Sequence, residues 1–292
     1  MATSEERLTA SLVHILDYFA GPDRQVFSQK DLQEILTEKR EEWKLTKVTF
    51  SQFQHFLTTV LKLRQEVLRA RGYRPITRFV WGEASDYALA QSLRSRGYFS
   101  HGTAVFLHGF NDQIPDTIYV NQEQSTKPPP TGGLTQERLN FAFRRKQRIS
   151  NYVYRRGNRR IVLLNGKNTE QLGVETMALD EKTSVRVTNV ERTLIDIVVR
   201  PAYAGGIFQV AQAYRSARGL ALTEEMGTLL RRLGYVYPYH QAIGFLLERA
   251  GFANEELQPF REQPFKFDFY LTHGLKNPDY DESWRLFVPK GL

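Results

Sequence analysis

Eight of the seventeen residues from Arg144 to Arg160 are cationic: Arg144, Arg145, Lys146, Arg148, Arg155, Arg156, Arg159 and Arg160. A one-signed run of this density suits a polyanion, because each cation can replace a counterion on a phosphate. Tyr152 and Tyr154 interleave with the arginines. Strand-like Ile149–Tyr154, a turn at Gly157-Asn158 and strand-like Ile161–Leu164 predict a β-hairpin tipped by four arginines. The pattern leaves open whether the partner is DNA or RNA.

A second set of polar groups sits nearer the N-terminus. From Trp43 to Gln65 there is no carboxylate, while Lys44, Lys47, Lys62 and Arg64 are basic. The spacing of Phe53, Phe56, Leu57, Val60, Leu61 and Leu68 predicts a helix from about Thr49, with those residues buried. Its other face would offer Thr49, Ser51, Gln52, Gln54, His55, Thr58 and Thr59, side chains able to bond phosphates or base edges. Two helices precede it, Glu5–Ala20 stopped by Gly21-Pro22, and one capped by Ser28 and ending near Trp43. The second carries Glu34 and Glu38, followed by Glu41 and Glu42, and makes a poor DNA face. A strand at Ile76–Trp81 follows, with Arg78 as a further phosphate contact. Three helices and a strand in this order predict a winged helix-turn-helix.

Enzymatic chemistry has weaker support. The chain has no Walker loop, no G-x-S-x-G and no H-E-x-x-H. The nearest pattern to a metal-dependent nuclease is Asp268 with Lys266, Asp279, Asp281 or Glu282, yet no acid-x-Lys strand follows at a suitable distance. Pairing of Asp268 with Arg285 or Lys290 is the preferred account. His101 and His108 are seven apart and lack a third ligand, so they are assigned to packing and capping; His240 is assigned to a helix start. No catalytic residue, metal or cofactor is assigned.

At 292 residues the chain is long for one core, and the fold expected is α+β. It divides into a winged helix-turn-helix domain over 1–82 and a larger mixed α/β domain over 83–292. The absence of cysteine excludes disulfides, thiol catalysis and Cys-ligated zinc. No leader is recognised in the polar start, and no apolar run reaches the ~18 residues of a membrane span, so a cytoplasmic protein without membrane contact is expected. The net charge is +8, and residues 131–170, with 10 basic and 2 acidic side chains, equal the whole excess.

The second domain opens on helices at Ala84–Arg96 and Ser100–Leu107, a strand at Ile118–Val120 and a loop over Gln122–Gly133. Strands at Met177–Leu179 and Val185–Val187 lead into a helix capped by Thr188 or Asn189. In that helix Arg192 and Asp196 are four apart and can pair, and Pro201 closes it. Helices at Gly206–Ala217, Thr223–Leu233 and Pro238–Ala250 follow, then strands at Phe265–Leu271 and Trp284–Val288.

Three strings resemble the AbiEi family, the antitoxin and transcriptional-regulator halves of type IV toxin–antitoxin systems. The first is Thr188-Asn189-Val190-Glu191-Arg192-Thr193-Leu194-Ile195-Asp196 with Arg200-Pro201 and Tyr203-Ala204-Gly205-Gly206. The others are Tyr98-Phe99-Ser100-His101-Gly102-Thr103-Ala104 with Leu107-His108-Gly109, and Tyr237-Pro238-Tyr239-His240-Gln241-Ala242-Ile243-Gly244. The resemblance spans roughly residue 10 to the end. It implies an N-terminal winged helix that represses its own operon at inverted repeats in double-stranded DNA. It also implies a larger antitoxin domain that opposes a neighbouring nucleotidyltransferase-like toxin, generally without a stable complex. Two alternatives stand beside this expectation: a metal-dependent nuclease, and a defence-locus transcriptional or RNA-binding regulator without antitoxin activity.

Overall fold

The computed structural model describes residues 3–21, 24–128, 132–180 and 183–292. Pro22, expected to stop the first helix, and residues 129–131 of the proline-rich loop lie outside the described residues. The first elements are α1 (Ser4–Ala10), α2 (Leu12–Ala20), β1 (Val26–Phe27), α3 (Gln29–Lys39), α4 (Phe50–Thr59), β2 (Arg64–Ala70) and β3 (Ile76–Val80). Capping boxes start α3 and α4, in which Ser28 and Thr49 accept from the N–H groups of Asp31 and Gln52. The expected helix over Glu5–Ala20 is divided at Ser11, whose hydroxyl donates to the Trp43 carbonyl at 2.6 Å and ties the first helices to the α3–α4 turn. Arg40 holds that turn too, donating to the carbonyls of Leu45, Thr46 and Val48.

The remainder comprises α5 (Asp86–Ser92), β4 (Tyr98–Phe99), α6 (Gly102–Leu107), β5 (Thr117–Glu123), α7 (Gln136–Arg144), β6 (Val153–Arg156), β7 (Arg159–Gly166), β8 (Val174–Ala178) and β9 (Ser184–Thr188). Then come α8 (Val190–Val199), a 3₁₀ turn at Pro201–Ala204, α9 (Ile207–Ser216), α10 (Thr223–Leu233), α11 (Tyr239–Arg249), a 3₁₀ turn at Asn254–Leu257 and α12 (Gln258–Arg261). Three short strands end the chain, β10 (Phe269–Tyr270), β11 (Asp279–Asp281) and β12 (Leu286–Val288). The architecture is α+β. One nine-stranded mixed sheet runs β1-β3-β2-β6-β7-β5-β4-β9-β8, and a three-stranded sheet runs β10-β12-β11. The large sheet crosses the expected 82/83 boundary, because β2 pairs with β6 through Arg69↔Arg155 and Ala70↔Tyr154. No helix among the described residues is long and apolar enough to cross a membrane.

Strand alternation separates two cores on opposite faces of the sheet. Phe27 and Phe79, registered partners, pack with Leu8, Ile15, Phe19, Leu32, Trp43 and Phe53 beneath the first four helices. Val26, Val80 and Leu68 face the other way, with Leu89 of α5 and Tyr154, Ile161 and Leu163 of the hairpin. A third core lies among α8, α9, α10, α11 and the small sheet. There α11 packs so closely on Trp284 that a Cβ at Gly244 would lie 2.1 Å from the indole ring.

Several boundaries differ from the sequence expectation. The α4 helix ends at Thr59, leaving Val60 exposed, and Leu68 belongs to the unexpected strand β2. Helix α7, absent from the expectation, carries Arg144 in its last turn, where a cation suits the helix dipole. Within Phe265–Leu271 only Phe269 and Tyr270 form a strand. Asn189, not Thr188, caps α8, its side chain accepting from Arg192 N–H at 3.0 Å. The Ser100 hydroxyl meets His101 Nδ1 at 2.8 Å and leaves α6 without a side-chain cap.

Candidate nucleic-acid interface

Helix α4 presents its polar face to solvent. Ser51, Gln52 and His55 are exposed, Gln54 is half-buried, and Phe53, Phe56 and Leu57 point into the core. The cap engages two expected contacts: Gln52 Oε1 accepts from the Thr49 N–H at 3.0 Å, and the Thr49 hydroxyl accepts from the Gln52 N–H. The Gln52 amide NH₂ can still donate outward. Thr58 and Thr59 bond back to carbonyls of their own helix. Ser51 and His55, one turn apart, are therefore the hydrogen-bonding groups that face solvent most directly. Lys44 and Lys47 approach the start of the helix, and both are exposed.

Arg78 differs from its expected role. Its guanidinium turns inward, donating to the Ser92 carbonyl at 2.8 Å, to the Ser92 hydroxyl at 3.1 Å and to the Thr77 carbonyl at 2.8 Å. Burial lowers its pKa. It pins α5 to β3, because the parity of β3 aims residue 78 at the α5 side of the sheet.

The hairpin forms about Gly157, which lies in the left-handed region at φ 53°, but its first strand is Val153–Arg156 rather than Ile149–Tyr154. The four arginines lie within the strands, with Val153↔Val162, Arg155↔Arg160 and Arg156↔Arg159 in register. Its four arginines separate by parity into two pairs. Arg156 and Arg159 face α5. Arg156 donates to both Glu66 carboxylate oxygens and to Asp86, while Arg159 reaches Asp86 at 2.6 Å and the Pro115 carbonyl at 2.8 Å. The Glu66 hydrogen bond raises the pKa of Arg156. These two are structural cations and leave the phosphate-binding set expected from sequence. Arg155 and Arg160 are exposed, with no ion pair among the described residues. Arg144, Arg145, Lys146 and Arg148 are also exposed; Arg145 lies over the Phe141 ring at 4.1 Å.

Sequence reasoning misses Arg69, Arg71 and Arg74, all exposed, in the β2–β3 hairpin. Summed over the N-terminal segment, their charge is offset by the acids of α1–α3. The hairpin turn is docked, since Tyr73 stacks on Tyr152 at 3.8 Å and Tyr154 donates to the Arg74 carbonyl at 3.1 Å.

The expected nuclease carboxylate is engaged. Asp268 Oδ1 accepts from Arg285 at 2.9 Å and from Tyr280 at 2.7 Å. Burial pushes the Asp268 pKa up, but those bonds outweigh it and hold the group below the usual carboxylate range. Asp281 accepts from the Trp284 N–H at 2.9 Å. Among the described residues no three His, Asp or Glu side chains converge closely enough to hold a metal ion.

The stretch that carries the first family-like string is a buried polar layer. Arg192 Nε meets Asp196 at 2.8 Å with both side chains almost fully enclosed, and Arg192 also donates to the Leu172 carbonyl at 2.7 Å. Glu191 accepts from the Leu222 N–H at 3.0 Å and so starts α10, which has no side-chain cap of its own. Across this layer Tyr98 donates to Glu123 at 3.1 Å, and Thr169 bonds the same carboxylate. These polar groups are partnered within the protein, with Glu191, Arg192 and Asp196 buried and Glu123 half-buried.

No protein-family model matches the chain, and no curated protein matches it. Among solved structures, the chain is similar to the RV2827C protein from Mycobacterium tuberculosis. The identity is 14%, over 96% of this chain and 90% of that one, with a TM-score of 0.58. A likeness at that identity concerns the fold alone.

Proposed function

We propose that the protein is a DNA-binding, autoregulatory antitoxin of the type IV, AbiEi-like kind, with a winged helix over 1–82 as its DNA reader. The observation that carries the DNA-binding half is α4. It is a capped helix whose solvent face offers Ser51, Gln52 and His55, flanked by Lys44 and Lys47, with no carboxylate from Trp43 to Gln65. The scaffold supports the reading. Helices, β1, α3, α4, β2 and β3 follow in winged-helix order, and β1-β3-β2 form its antiparallel sheet. In that arrangement α4 enters the major groove, while the β2–β3 hairpin and the exposed arginines hold phosphates.

The antitoxin half rests on the three family-like strings. It entails a nucleotidyltransferase-like toxin opposed without a stable complex, operator repeats upstream of the gene, a cytoplasmic location and no catalytic role for this chain.

The deciding experiment is binding to a duplex from the region upstream of the gene and to a scrambled duplex, across a salt series. Preference for the upstream duplex that is lost in Ser51→Ala/His55→Ala, with the fold retained, is the expected result. Equal binding of both duplexes by the wild type would overturn the operator reading. Failure of co-expression to rescue cells from the neighbouring toxin would overturn the antitoxin reading and leave a regulator.

A further inference from the structure

Arg69, Arg155 and Arg160 stand side by side on three adjacent strands. The register pairs Arg69 of β2 with Arg155 of β6, and Arg155 with Arg160 of β7. All three are exposed, and none has an ion-pair partner among the described residues. Side chains directly opposite on neighbouring strands are about 5 Å apart at Cβ, so like charges there repel and destabilise the sheet. The opposite face shows what a sheet does with arginines that need neutralising, for there Glu66 and Asp86 pair with Arg156 and Arg159. On the ladder face no carboxylate among the described residues pairs with these arginines.

The position of the ladder adds to the case. On β2, residues 65, 67 and 69 share a face, and Gln65 is registered with Phe79, which is buried beneath the first four helices. The ladder therefore lies on the α4 side of the sheet. Beyond Arg160 on the same face are Thr117 and Tyr119 of β5, where the Tyr119 N–H donates to Thr103 of α6 at 2.7 Å. The three arginines are exposed on the face of the sheet that carries the helices of the N-terminal unit.

We propose that this cross-strand arginine ladder is a sequence-independent phosphodiester-binding surface that holds the backbone of duplex DNA beside the segment contacted by α4. It deepens the DNA-binding reading above, yet it can fail or stand separately from it. Guanidinium groups bind phosphate by paired N–H donation, and three in a row gather successive phosphates of one strand. The anion removes the repulsion that the bare ladder carries.

The test uses the full-length chain with Arg69→Gln, Arg155→Gln and Arg160→Gln combined, and a matching triple Lys variant. Each is titrated with the upstream duplex, a random duplex and a single-stranded oligonucleotide across a salt series. The expected result is a fall of about two to three units in the log–log salt slope for both duplexes in the Gln variant, ~0.9 for each phosphate no longer held. The Lys variant keeps most of the slope. The Gln variant melts no earlier than wild type, since repulsion is relieved, whereas a merely structural role would lower its melting temperature. An unchanged slope in the Gln variant, no binding of random duplex by the wild type at low salt, or a loss confined to the single strand would each overturn the ladder. Equal wild-type binding of upstream and random duplex, with a ladder-dependent slope, would sink the operator reading and leave this surface in place.

Discussion

Arg156 donates from Nε and Nη2 to the two carboxylate oxygens of Glu66, at 2.8 and 2.7 Å, across 90 residues of sequence. The pair joins β6 to β2, the strands through which the N-terminal unit and the rest of the sheet become continuous. A forked, bidentate geometry in a half-buried setting makes it stronger than a surface ion pair.

Replacing Arg156 with Ala leaves the Glu66 and Asp86 carboxylates short of a donor. A loss of about 2 kcal/mol is expected, in the range of hydrogen bonds to charged groups. Urea denaturation of Arg156→Ala beside Arg155→Ala checks it. The first should unfold earlier, and the second should keep the wild-type midpoint while losing affinity for random duplex. The reverse ranking would mean that the hairpin's two faces are assigned the wrong way round.

The buried pair Arg192–Asp196 behaves differently from a surface i,i+4 pair. Burial works against the guanidinium charge, and the neighbouring Asp196 outweighs it, holding the Arg192 pKa above its usual value. Arg192→Met leaves Asp196 enclosed without its partner, for an expected loss of about 3–5 kcal/mol. Adding Asp196→Leu should restore much of that stability. A single-variant loss below about 1 kcal/mol would match an exposed pair and contradict the enclosed geometry.

Two enclosed histidines make stability depend on pH. Burial pushes His101 and His240 down to about 4 from an ordinary value near 6.5. Between those values the unfolded chain binds more protons than the folded one, so stability is full above pH ~6.5 and falls as pH drops toward ~4. Each group contributes up to about 3 kcal/mol over that window. Denaturation midpoints at neutral pH and near pH 5 should differ in wild type and differ less in His101→Asn/His240→Gln. An equal pH response in both proteins would remove the histidines as its cause.

Much of the local structure is legible in the residues. The α3 and α4 starts follow from Ser28 and Asp31, and from Thr49 and Gln52, because a capping box needs only neighbours three apart. The Gly157-Asn158 turn and its flanking strands follow from alternation and from one glycine that tolerates positive φ. Segments without a strong local period are harder to read: β2 resembles the tail of a helix because Leu68 happens to continue the α4 spacing. Helix α7 is hidden beneath the charge run that ends it.

The sequence by itself determined the charge of the hairpin, the polar face of α4 and the i,i+4 spacing of Arg192 and Asp196. It could not say which cations are free, since that depends on partners distant along the chain. The pairing of β2 with β6 brings Glu66 to Arg156 and sets Arg69 beside Arg155. Strand parity then neutralises one pair of hairpin arginines and leaves the other facing solvent. Tertiary structure alone also decided that Arg192 and Asp196 are enclosed, because helical spacing sets which residues meet, while burial depends on what packs over them.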